Sequence, residues 1–143
     1  MADGCEVQIL SRAHCRELLA GANIGRIILT ARALPTAVPV SYALDHDDIV
    51  FRAEATSLSA AAAGTVVAFQ VDFFDSHQRL GWSVVVTGVA KVLHERTDIA
   101  HVEGLGIPTW VAASRTNYVR LSTELIEGRI VGCHSAAWEP SHS

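Results

Sequence analysis

The order of short apolar segments between Gly25 and Leu93 limits what this chain can fold into more than any other feature of it. Gly25–Ala31 reads as a strand, Leu34-Pro35-Thr36 turns the chain, and Ala37–Leu44 follows as a second strand carrying Val38-Pro39-Val40-Ser41-Tyr42. An acidic turn, Asp45-His46-Asp47-Asp48, leads into Ile49–Ala53 and completes a hairpin. A hydroxyl-led, small-residue helix comes next, Thr56-Ser57-Leu58-Ser59 running into Ala60–Ala63. Strands are then expected at Val66–Phe73 and Trp82–Leu93, joined by the polar link Asp75-Ser76-His77-Gln78-Arg79, and later at Asn117–Ser122 and Leu125–Gly132. Six or seven strands with few helices favour a barrel over a fold of alternating strands and helices. Pro39 lacks an amide hydrogen, so its strand is expected to lie at an edge or to carry a bulge.

Ser11 suits the cap of a helix over Arg12–Ala22, with Cys15, Leu18, Leu19 and Ala22 on one face. A second short helix is expected over Thr97–Leu105, a loose lead-in over residues 1–10, and a small, polar tail from Ala136 apart from Trp138. No internal repeat or linker interrupts the 143 residues, which suits a single domain spanning 1–143.

Half of the residues are hydrophobic and the mean hydropathy is +0.28. No apolar run reaches the roughly 18 residues of a membrane span. An apolar excess of this size predicts that part of the surface is covered in a homodimer. A net charge of −4 without a basic run argues against a nucleic-acid partner. Cys5, Cys15 and Cys133 are odd in number and lack metal-ligand spacing, which predicts reduced thiols and a cytoplasmic setting. The first residues carry neither the basic nor the apolar region of a signal peptide.

Three constellations carry chemistry. Arg52 precedes Thr56-Ser57-Leu58, and a helix start there offers free amides, a positive dipole end and hydroxyls to an anion, with the guanidinium as the fixed charge. The plainer alternative is an ordinary cap and a surface arginine. Gly81-Trp82-Ser83 heads the longest strand and can flank a flat ring, or can simply pack. Pro39-Val40-Ser41 leaves backbone groups free to address the rim of a heterocycle, or marks an edge strand and nothing more. Tyr42, Arg79, Trp110 and Arg115 are candidate pocket residues equally well explained by packing or surface. The seven histidines are scattered without a zinc pairing, and no nucleophile elbow, dinucleotide fingerprint or phosphate-binding P-loop is present.

Taken in sequence, these segments resemble the pyridoxamine 5′-phosphate oxidase-like FMN-binding split-barrel superfamily, particularly its small actinobacterial members. The resemblance runs through the helix at Ser11–Leu19, Gly25-Arg26-Ile27-Ile28, Val38–Tyr42, Asp48–Arg52, Val67–Asp72 and Gly81–Gly88. Tyr118-Val119-Arg120-Leu121 and Glu127-Gly128-Arg129-Ile130 are also similar. It implies a mainly β protein, a six-stranded Greek-key split β-barrel with a few short peripheral helices, paired as a homodimer with a flavin in each of two clefts. Pro39, Val40 and Ser41 would line the isoalloxazine ring, and Phe51 and Arg52 would lead to the phosphate. Thr56, Ser57 and Leu58 would form the phosphate turn, with Trp82 and Ser83 of the partner subunit completing the cleft. The implied activity is that of an FMN-dependent oxidoreductase moving a hydride to or from a small-molecule substrate. Ser57 stands where many relatives carry a lysine. That departure keeps three alternatives open: the deazaflavin F420 as cofactor of a reductase, a non-catalytic flavin- or haem-binding storage or sensor module, and a barrel without cofactor.

Overall fold

Alternation of apolar and polar residues sets the strands, and two changes of strand partner set how the sheet curls. The computed structural model describes residues 5–54, 61–108 and 116–133, with Cys5 and Cys133 described by their backbone alone. Among these residues the order is β1 (Cys5–Ile9), α1 (Arg12–Ala20), β2 (Ile24–Ala31), β3 (Leu34–Asp45), β4 (Asp48–Glu54), β5 (Val66–Asp75) and β6 (Leu80–Val89). It continues through β7 (Lys91–Val92), a second helix here termed α2 (Arg96–Glu103), β8 (Thr116–Ser122) and β9 (Leu125–Cys133). The strands join in one sheet in the order β1-β9-β6-β5-β2-β3-β4-β8-β7, and every ladder is antiparallel.

The first change of partner is in β3. Its first part, Leu34–Ser41, pairs with β2, whereas Tyr42–Asp45 pairs with β4. The second change is at Ala90. β6 pairs with β5 and β9, and after Ala90 the chain reappears as β7 against β8. Ala90 is fully buried and is held by the loop before β5, donating to the Thr65 carbonyl at 3.0 Å and accepting from the Gly64 amide at 2.9 Å. The ladder therefore passes from β6 through β5, β2, β3, β4 and β8 to β7, which is the continuation of β6. Gly88 of β6 lies close to β8 across this circuit: a Cβ there would stand 3.2 Å from Leu121.

The inward residues form one core. Ile27, Leu29, Val40, Tyr42, Phe51, Val67, Phe69, Val71, Trp82, Val84, Val86, Val119 and Leu121 are all buried in it. Phe69 stacks on Phe51 with centroids 5.7 Å apart and meets Tyr42 edge-on at 5.0 Å. Helix α1, capped by Ser11 accepting from the His14 amide at 3.2 Å, adds Cys15, Leu18 and Leu19. It lies close over β9, since a Cβ on Gly128 would strike the Cys15 sulfur. A smaller cluster of Val50, Val102 and Ile107 packs α2 and the residues after it on the other side of β4.

Several expectations are corrected. The lead-in holds a strand: Val7 and Ile9 alternate with Glu6 and Gln8, and β1 pairs along β9. Trp82–Leu93 is two strands because the chain changes strand partners at Ala90. The turn before β3 is at Arg32 and Ala33, both with positive φ (53° and 65°), and Leu34-Pro35-Thr36 is already strand. Helix α1 stops at Ala20, where the Gly21 amide closes the turn on Glu17 and Leu18. The described residues hold nine strands. The mainly β, antiparallel architecture with short peripheral helices stands as expected. The helix expected from Thr56 lies mostly outside the described residues, as does the tail.

Candidate functional site

The change of partner in β3 opens a fork. The β3–β4 ladder ends at Tyr42↔Phe51. Beyond it β3 stays with β2, while Arg52, Ala53 and Glu54 stay with Tyr118, Asn117 and Thr116 of β8. The Tyr42 amide donates to the Asn23 carbonyl at 3.0 Å, so even-numbered residues of β3 turn their backbone groups towards β2, and odd-numbered ones turn theirs away. Ala37 and Pro39 therefore present their carbonyls, and Ala37 and Ser41 their amides, to the mouth of the fork. Pro39 occupies the one kind of position where a missing N–H costs the ladder nothing, which is the edge that its presence predicts.

Arg52 stands at the apex of the opposite prong. Its Nη2 donates to Thr116 Oγ1 at 3.1 Å, and its guanidinium lies 5.7 Å from the Tyr118 ring centroid. A cation so held keeps its fork in place, which suits an anion that needs directed donors. Val40 and Phe51 face the core and stiffen the two prongs from behind. The structure thus brings Pro39, Val40, Ser41, Phe51 and Arg52 to one fork. Thr56, Ser57 and Leu58, which continue from β4, lie outside the described residues. Trp82 and Ser83 fall on opposite faces of β6. Trp82 is buried in its own chain's core, paired in register with Phe73 and Ile130, whereas Ser83 accepts from Gln70 Nε2 at 3.1 Å on the outer face. On that face Arg26 and Asp72 form an ion pair at 3.5 Å.

Of the candidate pocket residues, Tyr42 is 1% exposed and donates its hydroxyl to the Leu19 carbonyl at 2.5 Å. Burial holds its pKa above the usual phenol value, so it ties α1 to the sheet. Arg79 is exposed in the β5–β6 turn with φ of 59°. Trp110 and Arg115 lie outside the described residues. Sequence reasoning missed Thr116 and Tyr118 beside Arg52. The separation of 64 residues between Arg52 and Thr116 left no local signal; only the β4–β8 register joins them.

A second polar cluster closes the far end of the β3–β4 hairpin. Asp45, with a side chain 7% exposed, receives His101 Nε2 at 2.9 Å and Arg120 Nη2 at 2.6 Å. Arg120 also donates to Asp48 at 3.1 Å, His46 approaches Asp45 at 3.9 Å, and Thr123 Oγ1 donates to the Asp47 carbonyl. The hydrogen bonds from His101 and then Arg120 hold the Asp45 carboxyl below its ordinary pKa, against the opposing effect of burial. A depressed carboxylate pKa contributes stability that is present above the unfolded value and lost as pH falls through the folded one. Asp45→Asn should therefore cost about 1.5–3 kcal/mol at neutral pH, with the gap to the parent protein closing below the ordinary carboxylate value of 3.8. Urea melts across pH 3–7 measure this; a gap that persists unchanged into acid would contradict the assignment. Among the described residues, no group of three or more His, Cys, Asp or Glu converges as a metal site. Among them also, no helix is long and apolar enough to cross a membrane.

Comparison with known proteins matches this arrangement. The family model for pyridoxamine 5′-phosphate oxidase matches residues 11–130. An uncharacterised protein of Mycobacterium tuberculosis is 35% identical over 133 residues, covering 88% of this chain and 87% of the relative. The solved structure of an FAD-binding protein from Mycobacterium smegmatis is 29% identical, with a TM-score of 0.73 over 87% of this chain and 97% of that one. A conserved protein of unknown function from Corynebacterium diphtheriae is 27% identical, with a TM-score of 0.75 over 87% and 98% of the two chains. The match from residue 11 to residue 130 spans most of the strands described above, and the chain belongs to the pyridoxamine 5′-phosphate oxidase family.

Proposed function

We propose that this protein binds a flavin nucleotide at the β3–β4 fork and acts as a flavin-dependent oxidoreductase on a small molecule. The observation that carries the reading is the fork itself. A strand edge that turns the amides of Ala37 and Ser41 and the carbonyls of Ala37 and Pro39 away from β2 faces Arg52, held by Thr116 and Tyr118. The edge supplies donors and acceptors for the rim of a heterocycle, and Arg52 supplies the charge for its phosphate. The residues present therefore fit the group. When bound, the flavin supplies hydride transfer at N5. The chain's own part is to hold the phosphate on Arg52, to orient the ring along Pro39–Ser41, and to keep the strand prongs rigid through Val40 and Phe51.

The circuit in which β7 continues β6 supports a six-membered barrel of β2, β3, β4, β5, β8 and β6–β7, with β1 and β9 outside it. Homodimerisation is part of the same reading. The outer face of the β1-β9-β6-β5 layer leaves Val7, Val66, Phe74, Val89 and Leu125 between 51% and 66% exposed, and exposed apolar side chains on one sheet face favour a covering partner. FMN satisfies the fork as described; FAD is the second reading, favoured by the Mycobacterium smegmatis neighbour. Titration with FMN, FAD and F420, followed by reduction of the loaded protein with a nicotinamide donor under nitrogen, tests the proposal. Saturable binding of FMN or FAD at one per chain, with the flavin reoxidised by an added acceptor, is the expected result. F420 binding alone would transfer the site to a deazaflavin reductase. Flavin bound but inert to donor and acceptor would make the protein a carrier or sensor.

A further inference from the structure

The β1–β9 register places Cys5 directly opposite Cys133. Both stand at the outermost rung of the ladder, and among the described residues β1 is an edge strand with β9 as its one neighbour in the sheet. The rung is also of a particular kind. The Leu10 amide donates to the Gly128 carbonyl at 2.9 Å, so Leu10 and Gly128 are a hydrogen-bonded pair continuing the same register. Counting back in twos, Gln8↔Ile130 and Glu6↔Gly132 are hydrogen-bonded pairs, and Ile9↔Arg129, Val7↔Val131 and Cys5↔Cys133 are not. Non-hydrogen-bonded pairs bring opposed Cα atoms to about 4.5 Å, within the roughly 4.4–6.8 Å that a disulfide spans. Cys5 and Cys133 are separated by nearly the whole chain, so only the fold could bring them to one rung.

We propose that Cys5 and Cys133 form a reversible cross-strand disulfide that locks β1 to β9 when the chain meets a small-molecule disulfide oxidant. The thiolate of one cysteine attacks the oxidant's S–S bond, forming a mixed disulfide and releasing one small thiol. The second cysteine's thiolate then attacks the protein sulfur of that mixed disulfide and expels the other small thiol. Two cysteine thiols are oxidised, the oxidant is reduced to two thiols, and the two protons leave with them. Reduced thiols remain the resting state in a reducing compartment, as cysteine usage predicts. The lock adds a response to oxidation that does not depend on flavin binding.

Cys15 takes no part in it. It is 1% exposed under α1, and burial pushes its thiol pKa up, so little of it is thiolate. The lock would instead fasten the strand that leads into α1. A cross-link closing so long a loop restricts the unfolded chain heavily, and the melting temperature of the oxidised form should rise by on the order of 10 °C.

The test uses the full chain equilibrated with oxidised glutathione and then alkylated. Trypsin cuts after Arg12 and Arg129, so the proposed bond joins the peptide of residues 1–12 to that of residues 130–143. Cys15 leaves separately in the peptide of residues 13–16. The expected result is that linked pair from protein migrating as a single chain on a non-reducing gel, unchanged in Cys15→Ala, absent in Cys5→Ser, and reversed by dithiothreitol. Three results would overturn the proposal: glutathione adducts on Cys5 and Cys133 without linkage, a covalent dimer as the main oxidised product, or a link involving Cys15.

Discussion

Phe69→Ala should cost about 3–5 kcal/mol of stability, the range for emptying a buried aromatic site. Phe69 is fully buried and sits where two ladders share a strand, paired with Ile27 of β2 on one side and Val86 of β6 on the other. Its ring lies against both Phe51 and Tyr42. Gly25 is packed so closely on it that a Cβ there would overlap the ring. The backbone has no slack from which to collapse into the vacancy, so the loss belongs at the upper end of that range. Against a typical total of about 5–15 kcal/mol, a third or more of the stability disappears. Urea unfolding should show a lower midpoint with an unchanged slope, and Phe69→Leu should recover much of the difference. A loss below about 1 kcal/mol for Phe69→Ala would mean that the site is not the centre of the core.

Much of this fold is readable from local signals. The alternation in Val67, Phe69 and Val71 and in Trp82, Val84 and Val86 places those residues inward, and Asp45–Asp48 closes a hairpin as its composition indicates. Pro39 marks an edge because proline has no ladder donor to give. What local pattern does not carry is the identity of the neighbour. β3 lies in the middle of the sheet order yet, among the described residues, has an open edge, because it gives Leu34–Ser41 to β2 and only Tyr42–Asp45 to β4. The join at Ala90 is equally silent in sequence: Val89-Ala90-Lys91 reads as one strand, and a bond to Thr65 turns it into two. Strand β1 carries a local signal too weak to stand alone. Its Val7 and Ile9 alternate cleanly with Glu6 and Gln8, but five residues beside a terminus look like a tail until β9 pairs with them. At the proposed site, the sequence singles out Arg52 by its distance to a hydroxyl-led segment, whereas Thr116 and Tyr118, which lie against it, belong to a strand 64 residues away.

Arg52→Ala should weaken FMN roughly tenfold to a hundredfold, the equivalent of one charge-assisted hydrogen-bonded contact of about 1.5–3 kcal/mol. Riboflavin shares the ring but lacks the phosphate, so its affinity should change little. Arg52 is half-buried, and its interactions with Thr116 and Tyr118 are of the partly exposed kind worth about 1 kcal/mol or less. Arg52→Lys keeps the charge but loses the planar fork, and should fall between the two. Added salt should narrow the FMN difference and leave riboflavin unaffected, since only the phosphate contact is screened. Titration of FMN and riboflavin into the parent protein and Arg52→Ala, at low and high salt, is the most direct test of a flavin held at the fork by its phosphate. A loss confined to FMN and reduced by salt is the predicted result. Equal losses for both ligands, or no loss in a folded Arg52→Ala protein, would contradict it.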